Sequence, residues 1–170
     1  GPKVKDQPWN PHIQGGDDEY HAMIHAAAHE YYYKDRFGLI TPPKNGFLKG
    51  QTKIAARESA PWGVPSSFSH IRFQLTFGLL AHIHIKAWGR PSDEVYATTI
   101  HELAHAAHWE LDELNYDDIV RDSFIGLTDD IRDNNRRLLE TWATTVETLF
   151  TIRRYRDQFG VTDYTFRANN

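Results

Sequence analysis

Hydrophobic spacing divides this chain into a helical beginning, a β-like middle and a helical end. Met23, Ala26, Ala27 and Tyr31 recur at helical intervals. They predict a helix capped by Asp17 or Asp18, running to about Arg36 and stopped by Gly38. Residues 38–51 carry Pro42-Pro43 and Asn45-Gly46 and are expected to be loop. Three β-like segments follow: Thr52–Arg57, His70–Phe77 and Leu80–Ala87. In the last two the alternation is clean. Ile71, Phe73, Leu75 and Phe77 share one face of their segment, as do Ala81, Ile83, Ile85 and Ala87. The opposite face of the third segment carries His82, His84 and Lys86, and residues 58–69 between the first two are expected to connect.

Gly89-Arg90-Pro91 breaks the pattern. Ser92 is the expected cap of a helix to about Leu114, with Asp93 and Glu94 placed where carboxylates favour the helix dipole. A shorter element is expected over 116–125. After Gly126, one of Thr128, Asp129 and Asp130 caps a final helix to about Gln158. Residues 1–16, with three prolines and Gly15-Gly16, form an irregular arm; 17–160 make one domain; 161–170 are a polar tail. Gly1-Pro2 is a pair that tag-removing proteases leave behind, so a longer parent chain is expected.

Composition narrows the chemistry. A chain of 170 residues, 40% hydrophobic and 25% charged, can bury one proper core. Its net charge is −4 and it shows no basic stripe, which argues against nucleic acid as the main partner. No apolar run is long enough to span a membrane. Cysteine is absent, which excludes disulfides, thiolate-ligated zinc and a cysteine nucleophile. Ten histidines are the unusual feature.

Two of them stand in His101-Glu102-Leu103-Ala104-His105, an H-E-x-x-H pattern inside the helix from Ser92. Residues four apart share a helix face about 6 Å apart along the axis, so both imidazoles can converge on one zinc ion. Glu102 is then placed to take a proton from the attacking water and pass it to a leaving amine. A third ligand is required. His108 lies about 10.5 Å along the axis from His101 and would need a bend that no glycine provides. The better candidate is Glu140, in Glu140-Thr141-Trp142-Ala143-Thr144-Thr145-Val146-Glu147 on the final helix, where Ala143 and Thr144 permit close packing. Glu147 lies two turns further on, so only one of the two can ligate, and Glu147 or His108 stays open as the alternative. Leu138, Leu139, Trp142, Val146 and Leu149 are free to supply core. His21, His25 and His29 recur at four-residue intervals on the first helix, and a polar helix face accounts for them.

The H-E-x-x-H pattern followed by Glu140-x-x-Ala143 resembles the zincin metallopeptidases with a glutamate ligand. The second glutamate seven residues on resembles the arrangement in the anthrax lethal factor group. The stretch Arg90–Trp109, with Tyr31-Tyr32-Tyr33, Gly38-Leu39 and Pro42-Pro43, is similar to zinc peptidase domains of bacterial cell-surface or secreted proteins. The resemblance implies an α+β zincin-like domain: an N-terminal helix, a small mixed sheet, an active-site helix and a ligand-bearing final helix. It implies zinc held by His101, His105 and Glu140, with Glu102 as general base and a protein or peptide as substrate. It implies a place outside the cell, at its surface or in the periplasm. It also implies that the edge strand, here Leu80–Ala87, pairs with an extended substrate, and that Tyr116, His108, His82 or His84 stabilises the oxyanion. The competing expectation is a zinc-stabilised binding module without catalysis.

Overall fold

The computed structural model describes residues 17–44, 52–58, 66–68 and 82–161. The described chain is α+β and mostly helical. Its elements are α1 (Asp17–Tyr33), β1 (Ile54–Arg57), β2 (Ser66–Phe68), β3 (Ile83–Lys86), α2 (Ser92–Leu111), α3 (Glu113–Ile125) and α4 (Asp129–Thr151). α4 continues into a π-helical segment, Ile152–Gln158. The segments His70–Phe77, 1–16 and 162–170 lie outside the described residues.

α2 is the centre of the fold. It packs against α1, against α4 and against the sheet. Every residue from Val95 to Ala107 is buried, as expected of a helix covered on all sides. Its alanines are what allow this. Ala104, Ala106 and Ala107 are fully buried, and so is Ala143 on α4, so the backbones can approach closely. From α1 the core receives Ile24, Ala27 and Tyr31; from β3, Ile83 and Ile85; from α4, Val146 and Phe150. Tyr31 stacks on Phe150 at 4.8 Å between ring centroids. A satellite core of Trp109, Tyr116 and Leu139 joins α2, α3 and α4. Leu138 and Leu149, expected to be free for core, face solvent instead, because the core stripe of α4 runs through Leu139, Ala143, Val146 and Phe150.

Local signals explain most boundaries. Thr128 caps α4, its Oγ1 accepting from the Ile131 amide at 3.2 Å. Asp112 separates α2 from α3 and caps α3 by accepting from the Asn115 amide at 3.2 Å. At the start of α2 the cap is Pro91, not Ser92; no side chain caps this end, and Asp93 and Glu94 supply the favourable charge. α1 stops at Tyr33, three residues short of Arg36. Phe37 and Gly38 take positive φ values, 56° and 78°, and turn the chain away. That backbone is strained for phenylalanine. The ring is held edge-on to Phe150 at 5.5 Å, with the Arg153 guanidinium 4.7 Å from its centroid.

The sheet order is β1-β3-β2. β1 runs parallel to β3, with Ile54 opposite Ile83, and β2 runs antiparallel, with Phe68 opposite Ile83. Two expectations are corrected. β2 lies inside the stretch expected to be loop; three residues are too few for alternation to show. β3 is the central strand, not an edge, so its backbone is already paired on both sides and it cannot serve as a shelf for a substrate strand. Ile83, Ile85 and Ala87 are fully buried, while His84 and Lys86 are half-buried.

A buried ionic cluster ties the ends of the fold together. Glu30 on α1 is 2% exposed. Its carboxylate accepts from the Tyr96 hydroxyl of α2 at 2.8 Å and pairs with Arg154 of the π-helical segment. Arg153 lies 3.8 Å and Lys34 3.6 Å away. The Arg154 guanidinium also sits 4.7 Å from the Tyr96 ring centroid.

Candidate metal centre

The two helices that pack most extensively, α2 and α4, bring three donors to one point. His101 Nε2 and His105 Nε2 are 3.2 Å apart. Glu140 places Oε2 3.2 Å from His101 Nε2 and Oε1 3.6 Å from His105 Nε2. Among the described residues this is the one group of three potential ligands, its donor atoms all within 4.8 Å of one another. Two nitrogens bound tetrahedrally to one zinc at 2.0–2.1 Å would stand about 3.3 Å apart. The separations of the donors match that value, and the set of two imidazoles and one carboxylate suits zinc. Both histidines are buried, whereas Glu140 is about half exposed, so the point where they meet opens towards solvent on the α4 side.

Alignment of the helices holds this geometry. Trp142 Nε1 donates to the Ala104 carbonyl at 3.3 Å, fastening α4 to the middle of the motif. Glu147 stands behind His101, not in the cluster. It is 1% exposed, and its Oε2 lies 2.8 Å from His101 Nδ1. A carboxylate can only accept there, so Nδ1 carries a proton and Nε2 is the nitrogen turned towards His105 and Glu140, available to a metal once it is deprotonated. Two turns of α4 therefore separate a carboxylate on one nitrogen of His101 from a carboxylate on the other. His105 has no such partner: its Nδ1 is buried without a hydrogen bond among the described residues. Glu147→Gln, which keeps the shape but weakens the acceptor, is expected to lower zinc affinity about 10–100-fold, as read by competition with a chelator.

The site's electrostatics favour a cation. Burial alone would push the His101 imidazole down. Hydrogen bonds to Glu140 and Glu147 and the neighbouring Glu102 charge outweigh it and hold the pKa up, at about 9. Burial pushes His105 down, and a charged His101 pushes it further. At neutral pH His101 is thus an imidazolium and His105 a neutral imidazole, and a metal ion would displace the proton on His101 Nε2. A zinc ion taking that place would release the proton below about pH 9. Apparent affinity is expected to climb about tenfold per pH unit from 6.5 to 8.5 in chelator competition. A flat profile would contradict the protonated metal-free pair.

Glu102 is 5% exposed, on the same turn as His101. Its charge, with that of Glu140, adds to burial in pushing the Tyr116 phenol well above its ordinary value. Tyr116, at the start of α3, therefore stays a neutral hydroxyl near both carboxylates. The other expected oxyanion contacts are His108, beside Tyr116 and near enough to His105 to lower its pKa, and His82 and His84 at the sheet. His82 Nδ1 accepts from the Lys53 amide at 3.1 Å beside the sheet, and His84 points from β3. His108 packs between Tyr116 and Trp142, at 5.1 and 5.5 Å between ring centroids, and burial lowers its pKa. It takes no part in the cluster. On α1, His21, His25 and His29 are exposed, and the His25 and His29 rings lie 6.2 Å apart.

No family model, curated protein or solved structure matches this chain. No helix among the described residues is long and apolar enough to cross a membrane.

Proposed function

We propose that the protein is a zinc-dependent peptidase. The observation that carries this reading is the convergence of His101, His105 and Glu140 beside a buried carboxylate, Glu102, that is not one of the three donors. His101 and His105, rigid on a buried helix, and Glu140, from the facing helix, would hold the ion. Zinc, when bound, supplies Lewis acidity: it polarises a carbonyl and acidifies a water.

The chain's own residues would do the rest. Glu102 accepts the proton of the attacking water and delivers it to the leaving amine. Glu147 keeps the His101 ring in one tautomer and one orientation. The Tyr116 hydroxyl, kept neutral by burial, can donate a hydrogen bond to the negative charge that develops on the carbonyl oxygen. A binding module would need His101, His105 and Glu140 alone. The retention of a buried Glu102, at the cost of desolvating a carboxylate, favours catalysis over it.

The test is hydrolysis of a mixed peptide pool by the zinc-loaded chain. New amino termini are expected, lost on chelation and restored by zinc. An intact pool in the presence of one zinc per chain would remove the peptidase reading.

A further inference from the structure

Resting on the peptidase reading, we propose that the outer face of α4 forms one wall of the substrate cleft. It would select an extended peptide with an acidic side chain on one side of the cut bond and uncharged side chains on the other.

Glu140 belongs to two features at once. It is a member of the donor cluster, and it lines a groove of about 460 Å³ together with Arg137, Thr141, Thr144, Thr145 and Thr148. Leu149 closes the far end. The groove thus passes the candidate metal centre, with Arg137 on one side of Glu140 and the threonines on the other. From Arg137 to Leu149 the helix rises about 18 Å, the reach of roughly five extended residues.

The chemistry of this wall is specific. Thr145 Oγ1 donates to the Thr141 carbonyl at 2.7 Å, and Thr148 Oγ1 donates to the Thr144 carbonyl at 2.8 Å. With their protons committed to the helix, these hydroxyls present lone pairs and methyl groups to the groove. They can accept from the backbone N–H groups of an extended chain and pack against small or β-branched side chains. They offer no donor to an acidic side chain and no counter-charge to a basic one. Among the described residues Arg137 is the one cation along the groove, one turn from Glu140, and it makes no ion pair. A carboxylate on the substrate within a residue or two of the cut bond would meet it.

The experiment is cleavage-site sequencing of an unbiased peptide pool by the zinc-loaded chain and by Arg137→Glu. Arg137 is exposed, so the variant is expected to fold and to keep its zinc. The native profile should be enriched in Asp and Glu within two positions of the cut on one side, and depleted in charge at roughly two to four positions on the other. In the variant the ratio of kcat/KM for acidic over basic peptides should fall about tenfold. Each value is read relative to the same protein's kcat/KM for neutral peptides, so a general change in activity does not enter the ratio. A ratio that does not move overturns the groove assignment and leaves the peptidase reading standing. A pool left uncut by the native chain overturns both.

Discussion

Glu102→Gln is expected to keep the fold and the zinc and to lose hydrolysis by about 10²–10⁴-fold. The amide has the size of the carboxylate and fills the same buried place on α2, so packing should be untouched. What disappears is the ability to take up a proton. Glu102 is not among the three donors, so metal content should stay at the native level. The measurement is kcat/KM on a peptide cleaved by the native chain, with zinc measured on the same samples. Full activity in the variant would mean that another base serves the site and that the role given to Glu102 is wrong.

Glu30→Ala is expected to cost about 3–5 kcal/mol, because it leaves the partly buried Arg153 and Arg154 without the buried carboxylate that balances them. Arg154 and Arg153 stay held by stacking on Tyr96, Phe37 and Phe150, and cannot simply swing into water. The Tyr96 hydroxyl loses its acceptor as well. For a chain of this size that corresponds to a midpoint lowered by about 10 °C or more. Thermal unfolding followed by circular dichroism checks it. Glu30→Gln, which still accepts from Tyr96, should fall between the two. A midpoint unchanged in Glu30→Ala would mean that the cluster contributes nothing net to stability.

What the sequence made legible follows from how local each feature is. α2 and α4 could be placed because their signals lie within a few residues: a proline break and two carboxylates at one start, Thr128 at the other, and apolar spacing through both. The spacing of His101 and His105 dictates a shared helix face without reference to the rest of the chain. Glu140 and Glu147 show where this ends. They lie two turns apart on one face, and no local rule says which meets the Nε2 side of His101 and which the Nδ1 side. The packing of α4 on α2 decides it, through contacts such as Trp142 to the Ala104 carbonyl.

The same holds for the sheet. Alternation identified the buried face of β3, but strand order is set by pairing between distant segments, so its central position was not visible. β2 was too short to leave a pattern. The role of Glu30 was hidden for the same reason, since its partners Tyr96 and Arg154 are 66 and 124 residues away along the chain.

The central claim is that His101, His105 and Glu140 together hold one zinc ion. Elemental analysis of the native chain and of Glu140→Ala, after incubation with zinc and removal of the excess, tests it most directly. The account predicts one zinc per chain in the native protein and a collapse of occupancy in the variant. Equal zinc in both would contradict it, because the ion would then be held without the carboxylate that α4 brings to the two histidines.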